Sequence, residues 1–149
     1  MAALSRPGLE TISAGIALQA YIPDSLGIQA ITAWARERVK KGGAPIVIRL
    51  VKGANMESER LEASIAGWAQ APFKTKLETD RNYKAMLHLG MTQENIAAVH
   101  LAIAPHKLFE TAYAIVLAID RGVLDSRQFE MLEGMANHQR RALHDLVDN

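Results

Sequence analysis

The segment from Ile46 to Ala54, which reads Ile-Val-Ile-Arg-Leu-Val-Lys-Gly-Ala, carries the residue types best suited to ligand chemistry. Its apolar run without polar alternation is typical of a parallel strand buried on both faces. Arg49 and Lys52 lie three residues apart toward the carboxyl end, where barrels and open α/β sheets bind ligands. A buried arginine needs an anionic or electron-rich partner. The sequence leaves two alternatives for the partner of Arg49, which are a bound cofactor and a carboxylate from a neighbouring strand.

Other polar residues give weaker indications of chemistry. The five histidines show no metal-ligand spacing, and we predict no metal site. His106 follows a predicted strand, a position typical of binding residues, whereas His100 in mid-strand is better interpreted as a core histidine. Glu130 and Glu133 flank the last predicted strand, and paired-carboxylate catalysis there is a minor alternative. The sequence contains no glycine-rich phosphate loop.

Hydrophobic periodicity predicts alternating strands and helices that must position these residues. The predicted strands cover residues 15–21, 45–51, 95–103 and 129–132, and the predicted helices cover about 25–41, 58–68, 79–89, 108–121 and 137–147. This order, β-α-β-α-α-β-α-β-α, predicts parallel βαβ units with right-handed crossovers. Four βα units are half of an eight-stranded barrel, which typically takes ~250 residues. We therefore expect an open sheet or a piece of a larger barrel.

The composition excludes several classes of protein. The chain has 149 residues, 49% of them hydrophobic and 22% charged, with a net charge of +1, which is ordinary for one globular domain. No basic run indicates nucleic-acid binding. The absence of cysteine excludes disulfides and thiolate metal sites. No apolar run approaches the ~20 residues of a membrane helix, and no signal peptide is visible, so we expect a cytoplasmic protein.

Five motifs, in order and with sensible spacing, cover nearly the whole chain. They are Leu18-Gln19-Ala20-Tyr21, Ile48 to Ala54, Thr75-Lys76 with Thr79-Asp80, Ala104-Pro105-His106, and Met131 to Met135. Together they resemble the second half of the proline dehydrogenase barrel, above all that domain in the bifunctional proline utilization A (PutA) flavoenzymes. The most specific part is Arg-Leu-Val-Lys-Gly-Ala at a strand end, with Gln-Ala-Tyr upstream.

The resemblance implies a fold and an activity. The fold would be a distorted (βα)8 TIM-type barrel, of which residues 1–149 form the second half as one partial domain. Such barrels bind FAD noncovalently and oxidise L-proline to pyrroline-5-carboxylate by hydride transfer to the flavin N5. Electrons then pass to a quinone in the membrane, so that any membrane contact would be peripheral and made by the parent protein.

The resemblance also implies roles for individual residues. Gln19 would contact the flavin ring, and Arg49, the candidate catalytic residue, would lie near N5 and stabilise the reduced flavin. The other implied contacts are with the isoalloxazine and ribityl chain for Val51, Lys52, Gly53 and Ala54, with the phosphate and adenosine side for Thr75 and Lys76, with the flavin or its phosphate chain for His106, and with a pocket wall for Leu132.

The sequence departs from the family pattern in several places. Asn55-Met56 replaces the Tyr-Trp of some members, which removes aromatic stacking on the adenine. Pro105 replaces the Ser or Thr before the histidine and removes a hydroxyl and an N–H donor. The family's substrate Lys and active-site Asp, in the first half of the barrel, are absent, as is the final helix with its Arg pair. We interpret Arg140-Arg141 as part of a segment that precedes this final helix, and not as its Arg pair, because the residues that follow, starting with Ala142-Leu143, do not match the family pattern.

Three hypotheses follow. In the first, the chain is the carboxyl-terminal half of an FAD-dependent proline dehydrogenase barrel and is inactive by itself. In the second, it is a noncatalytic half-barrel whose exposed strand edges are covered by another copy or by the remainder of the barrel. The third is an unrelated βα enzyme that binds a phosphate at its strand ends.

Overall fold

The computed structural model describes residues 1, 3–105, 107–131 and 137–147. The predicted order of strands and helices is confirmed. The elements are β1 (Ala14–Gln19), α1 (Ile28–Lys40), β2 (Ile46–Val51), α2 (Met56–Ala66), α3 (Lys76–Gly90), β3 (Val99–Ile103), α4 (Leu108–Asp120), β4 (Arg127–Phe129) and α5 (Asn137–Val147), with a 3₁₀ turn at Pro23–Gly27 ahead of α1.

The strands form one parallel sheet in the order β1-β2-β3-β4. This arrangement confirms the predicted α/β fold of the barrel type with about four βα units. One register layer runs across the sheet through Ala17, Arg49, Ala102 and Gln128. Among the described residues β1 and β4 are the edge strands.

The hydrophobic core lies on the side of the sheet that faces the helices. Alternate residues of β2, namely Ile46, Ile48 and Leu50, are buried there. They pack with buried side chains of α1, α3 and α4, such as Ile28 and Met86, in one cluster. Full burial of an aliphatic side chain contributes about 1.5–3 kcal/mol, so this face supplies most of the packing energy that holds the strands in place.

The opposite side of the sheet, which we call the open face, is only partly covered. It is formed by Gly15, Ala17, Gln19, Val47, Arg49, Val51, His100, Ala102 and Gln128. The predicted burial of β2 on both faces was wrong, because its three residues on this face are half-buried. The interpretation of His100 as a core histidine was also wrong, because the residue is exposed. Ala17 is exposed on this face, whereas Ala102 is buried.

Helix α3 begins three residues earlier than its apolar pattern predicts. Thr75 is its N-cap and forms a capping box with Glu78. The Glu78 backbone N–H donates to the Thr75 hydroxyl (3.2 Å), and the Thr75 N–H donates to the Glu78 carboxylate (2.8 Å). These bonds satisfy N–H groups that the first turn of a helix leaves free, and they fix where α3 starts beside the end of β2.

Candidate functional site

The carboxyl end of β2 places its two cationic side chains on opposite sides of the sheet. Side chains alternate between the faces of a strand, and Arg49 and Lys52 are separated by an odd number of positions. Arg49 belongs to the open face, whereas Lys52 reaches the helices, where it pairs with Asp80 of α3 and Glu110 of α4. The two cations therefore do not form one anion-binding pair.

Among the residues that the structure describes, Arg49 has one charged partner on the open face. Its Nε donates to Oε2 of Glu130 at 2.5 Å, and the two side chains are 41% and 28% exposed. Glu130 follows β4 and is held there by its backbone N–H, which donates to the Ile103 carbonyl (2.8 Å). The register neighbours of Arg49 are Ala17 and Ala102, so small side chains flank the guanidinium on both sides. The carboxylate partner considered for Arg49 from the sequence is thus present, from the segment after β4.

Gly53 and Tyr21 pack against each other where β1 and β2 end. Gly53 has φ = 103°, and a Cβ added there would lie 1.8 Å from Cδ1 of the Tyr21 ring. The same position is 3.1 Å from Oε1 of Gln19, so the Gln19 amide lies beside Gly53. Only glycine fits this combination of left-handed backbone and close packing.

Tyr21 is fixed by its backbone and by its hydroxyl. Its N–H donates to the Lys52 carbonyl (3.0 Å), which continues the β1–β2 pairing beyond the strands. The ring is buried, and its hydroxyl donates to Glu59 of α2. Burial and this hydrogen bond raise the pKa of Tyr21 to about 12. The neutral hydroxyl thereby ties the β2–α2 segment to the end of β1.

The other cation, Lys52, lies at the centre of an ionic network that we call the Lys52 cluster: Lys52, Lys76, Asp80 and Glu110. The Lys52 ammonium donates to Asp80 and Glu110, and Lys76 donates to the second oxygen of Asp80. Lys52, Asp80 and Glu110 are 18%, 25% and 15% exposed. Burial would raise the pKa of Asp80, but the hydrogen bonds from both lysines outweigh it, and the pKa lies below its usual value. The cluster joins α3 and α4 to the end of β2.

The remaining predicted site residues are divided between these two places. Val51 is half-buried on the open face and pairs in register with Gln19. Ala54 is exposed just beyond Gly53. Thr75 and Lys76 begin α3 beside the Lys52 cluster, where the Thr75 hydroxyl is engaged in the capping box. His106 and Leu132 lie outside the described residues. The structure therefore brings together Gln19, Arg49, Val51 and Gly53 on one side, and Lys52, Thr75 and Lys76 on the other.

Three residues of this region were not assigned these contacts from the sequence. Asp80 lies four residues after Lys76, a helical spacing at which the ion pair could have been predicted. Asn82 is buried, and its amide donates to the Ala20 carbonyl and the Ser25 hydroxyl, both at 2.9 Å, which holds the β1–α1 connection. Glu130 lies 81 residues from Arg49 in sequence, and no local pattern indicates that pairing.

Two further features concern the described part of the chain alone. Within those residues, no cluster of three or more His, Cys, Asp or Glu side chains is arranged to hold a metal ion. None of the helices within the same ranges combines the length and apolarity required to cross a membrane.

Comparison with known protein families gives a match over residues 1–148 to the family described as proline dehydrogenase. Among solved structures, proline utilization A (PutA) from Corynebacterium freiburgense is 40% identical with a TM-score of 0.89, and the match covers 97% of this chain and 15% of that one. PutA from Bdellovibrio bacteriovorus, inactivated by N-propargylglycine, is 30% identical with a TM-score of 0.84, over 96% of this chain and 15% of that one.

A PutA variant from Bradyrhizobium japonicum is 26% identical with a TM-score of 0.79, over 99% of this chain and 15% of that one. No curated protein sequence matches the chain significantly. The chain therefore spans about 15% of the length of these solved relatives.

Proposed function

The chain belongs to the proline dehydrogenase family, and we propose that it contributes the flavin-facing half of a proline dehydrogenase barrel. In this proposal residues 1–149 are a partial barrel domain, and the complete barrel oxidises L-proline to pyrroline-5-carboxylate with FAD as its cofactor. A quinone would reoxidise the flavin, and membrane contact would be made only by the larger protein. We further propose a cytoplasmic location and no role in nucleic-acid binding.

The observation that carries the proposal is Arg49 on the open face, flanked by Ala17 and Ala102. The exposed Ala17 leaves room for a flat ring against the sheet. The guanidinium offers a planar, permanent cation to an electron-rich edge. These residues fit a flavin. Bound FAD would supply the hydride acceptor, and Arg49 would favour its electron-rich reduced form.

The other residues of the open face would hold and orient the ring. The Gln19 amide, beside Gly53, would donate to or accept from a polar edge of the ring, and Val51 would provide an apolar contact. Gly53 and Ala54 would let the backbone approach closely, because neither carries a bulky side chain. None of these roles requires a metal.

The start of α3 is the proposed position of the phosphate and adenosine side. Thr75 and Lys76 are exposed there, and Lys76 provides a cation next to the helix N-terminus. Lys52 would contribute indirectly, because the Lys52 cluster fixes the position of α3 relative to β2. His106 and Leu132 are kept in the proposal as further flavin contacts, on the family resemblance alone.

Retention of FAD tests this function directly. The purified chain is mixed with FAD and desalted, and the visible absorbance spectrum is recorded; we expect bound flavin. Arg49→Met should lose flavin, whereas Arg81→Met, at an exposed position on α3, should keep it. We also propose that the isolated chain does not reduce a dye with proline as donor, because the resemblance places the family's substrate Lys, active-site Asp and Arg pair outside residues 1–149. Failure of the unmodified chain to retain flavin would contradict the proposal that this half of the barrel holds the flavin.

The second candidate function is a noncatalytic half-barrel that self-associates. The observation that favours it is that β1 and β4 are the edge strands of the sheet formed by the described residues. A twofold axis parallel to the strands would place β4 of one copy beside β1 of the other in parallel orientation, and eight strands would close. The same edges would be covered by the first half of the barrel in a longer protein. A solution mass of one chain, measured by light scattering, would count against self-association.

A further inference from the structure

We infer, on the basis of the proposed function, that Glu130 balances the charge of Arg49 at the flavin site and thereby lowers both the affinity for FAD and its reduction potential. Arg49 is the cation that the family resemblance places at the ring. Glu130 has no role in that resemblance, and its carboxylate is 2.5 Å from the Arg49 Nε.

The ion pair between Arg49 and Glu130 lies on the open face of the sheet. Arg49 is on β2 and Glu130 follows β4, so the ion pair reaches past the intervening strand β3. Ala17 and Ala102, which flank Arg49 in register, carry no charge. Lys52, the nearest cation in sequence, is held on the other side by Asp80 and Glu110. Among the described residues Glu130 is therefore the carboxylate that offsets the field of Arg49.

The consequence follows from the charges of the two flavin states. Two-electron reduction makes the ring more electron-rich, so a cation nearby stabilises the reduced form more than the oxidised form. A carboxylate paired with that cation reduces the preference for the reduced flavin. The two opposite charges form a dipole, whose field at the ring is weaker than that of the cation alone. Glu130 also competes with the flavin for the guanidinium. Removing its charge while keeping an acceptor for the Arg49 Nε should reverse both effects.

The experiment compares Glu130→Gln with the unmodified chain, each reconstituted with FAD. The matched control is Asp125→Asn, which removes the same charge from an exposed position in the turn just before β4. FAD dissociation constants are measured by flavin fluorescence, and midpoint potentials by dye-linked reduction. In E130Q we expect at least tenfold tighter FAD binding and at least a tenfold shift of the two-electron equilibrium toward the reduced form, which is about 30 mV more positive. D125N should match the unmodified chain.

The outcomes distinguish a failure of the inference about Glu130 from a failure of the proposed function. Equal affinity and potential in E130Q and the unmodified chain would overturn the inference about Glu130 and leave the proposed function standing. Loss of FAD in a folded E130Q would show that the carboxylate positions Arg49, and would also overturn it. Absence of FAD binding in every variant would overturn the proposed function itself and, with it, the inference. If E130Q does not fold, Glu130→Met, which has a similar length and no charge, is measured in its place and must show the same direction of both shifts.

Discussion

Arg49 and Lys52 share one strand end, but the structure gives them different surroundings. Lys52 is 18% exposed and lies between two carboxylates from α3 and α4. Arg49 is 41% exposed and has, within the described ranges, one carboxylate partner on the open face. A largely enclosed cation with two fixed partners holds elements together, while a more exposed cation with one partner can exchange it for a ligand. We therefore propose that the helix side of β2 provides stability and that the open face binds the ligand.

Gly53 lies between the two sides, and its replacement should have the largest effect. Gly53→Ala combines a backbone with φ = 103° and a Cβ 1.8 Å from the Tyr21 ring. Backbone strain and overpacking together should lower the free energy of unfolding by about 4 kcal/mol, as measured by urea denaturation. Gly42→Ala is the control, since Gly42 has φ = 85° but open space around its Cα, and its cost should be about 1 kcal/mol. Equal losses in both variants would show that the contact with Tyr21 is unimportant.

Lys52→Met tests the structural side of the comparison. It leaves Asp80 and Glu110 partly buried without their shared cation, and we expect a loss of about 3 kcal/mol in the free energy of unfolding. Lys40→Met is matched to it, because Lys40 pairs with Glu37 at an exposed surface and its loss should change the free energy of unfolding little. If the two variants were equally stable, the Lys52 cluster would have no special role in holding α3 and α4.

The pH dependence of stability gives a smaller effect from the same cluster. The pKa of Asp80 is lowered in the folded chain, so its stabilising contribution is complete above the unfolded value of about 4 and is lost as the pH falls through the folded pKa. Urea denaturation at pH 7 and pH 3 should therefore show a smaller acid-induced loss of stability in Asp80→Asn than in the unmodified chain. An Asp80→Asn variant with the full acid-induced loss would contradict a lowered pKa.

The sequence predicts the order of strands and helices because each strand is a short apolar run and the turns carry glycine or proline. It also predicts that Gln19, Arg49 and Gly53 lie near the carboxyl-terminal end of the sheet, since the carboxyl ends of parallel strands lie side by side. It does not predict Glu130 as the partner of Arg49, because that contact depends on how β3 and β4 fold across 81 residues. The exposure of His100 was missed for a different reason, since apolar residues on β3 indicate a strand without indicating what covers its second face.

Arg49→Met should have a small effect on stability and the opposite functional consequence to Lys52→Met. Because Arg49 is 41% exposed and has one partner, its loss should change the free energy of unfolding by less than about 1 kcal/mol. The same variant should lose FAD, whereas folded Lys52→Met should still retain it. Measuring urea stability and flavin retention on both variants separates the two sides of β2. If Arg49→Met unfolded as readily as Lys52→Met, Arg49 would be part of the structural framework. That result would contradict the proposal that the open face is the ligand-binding side.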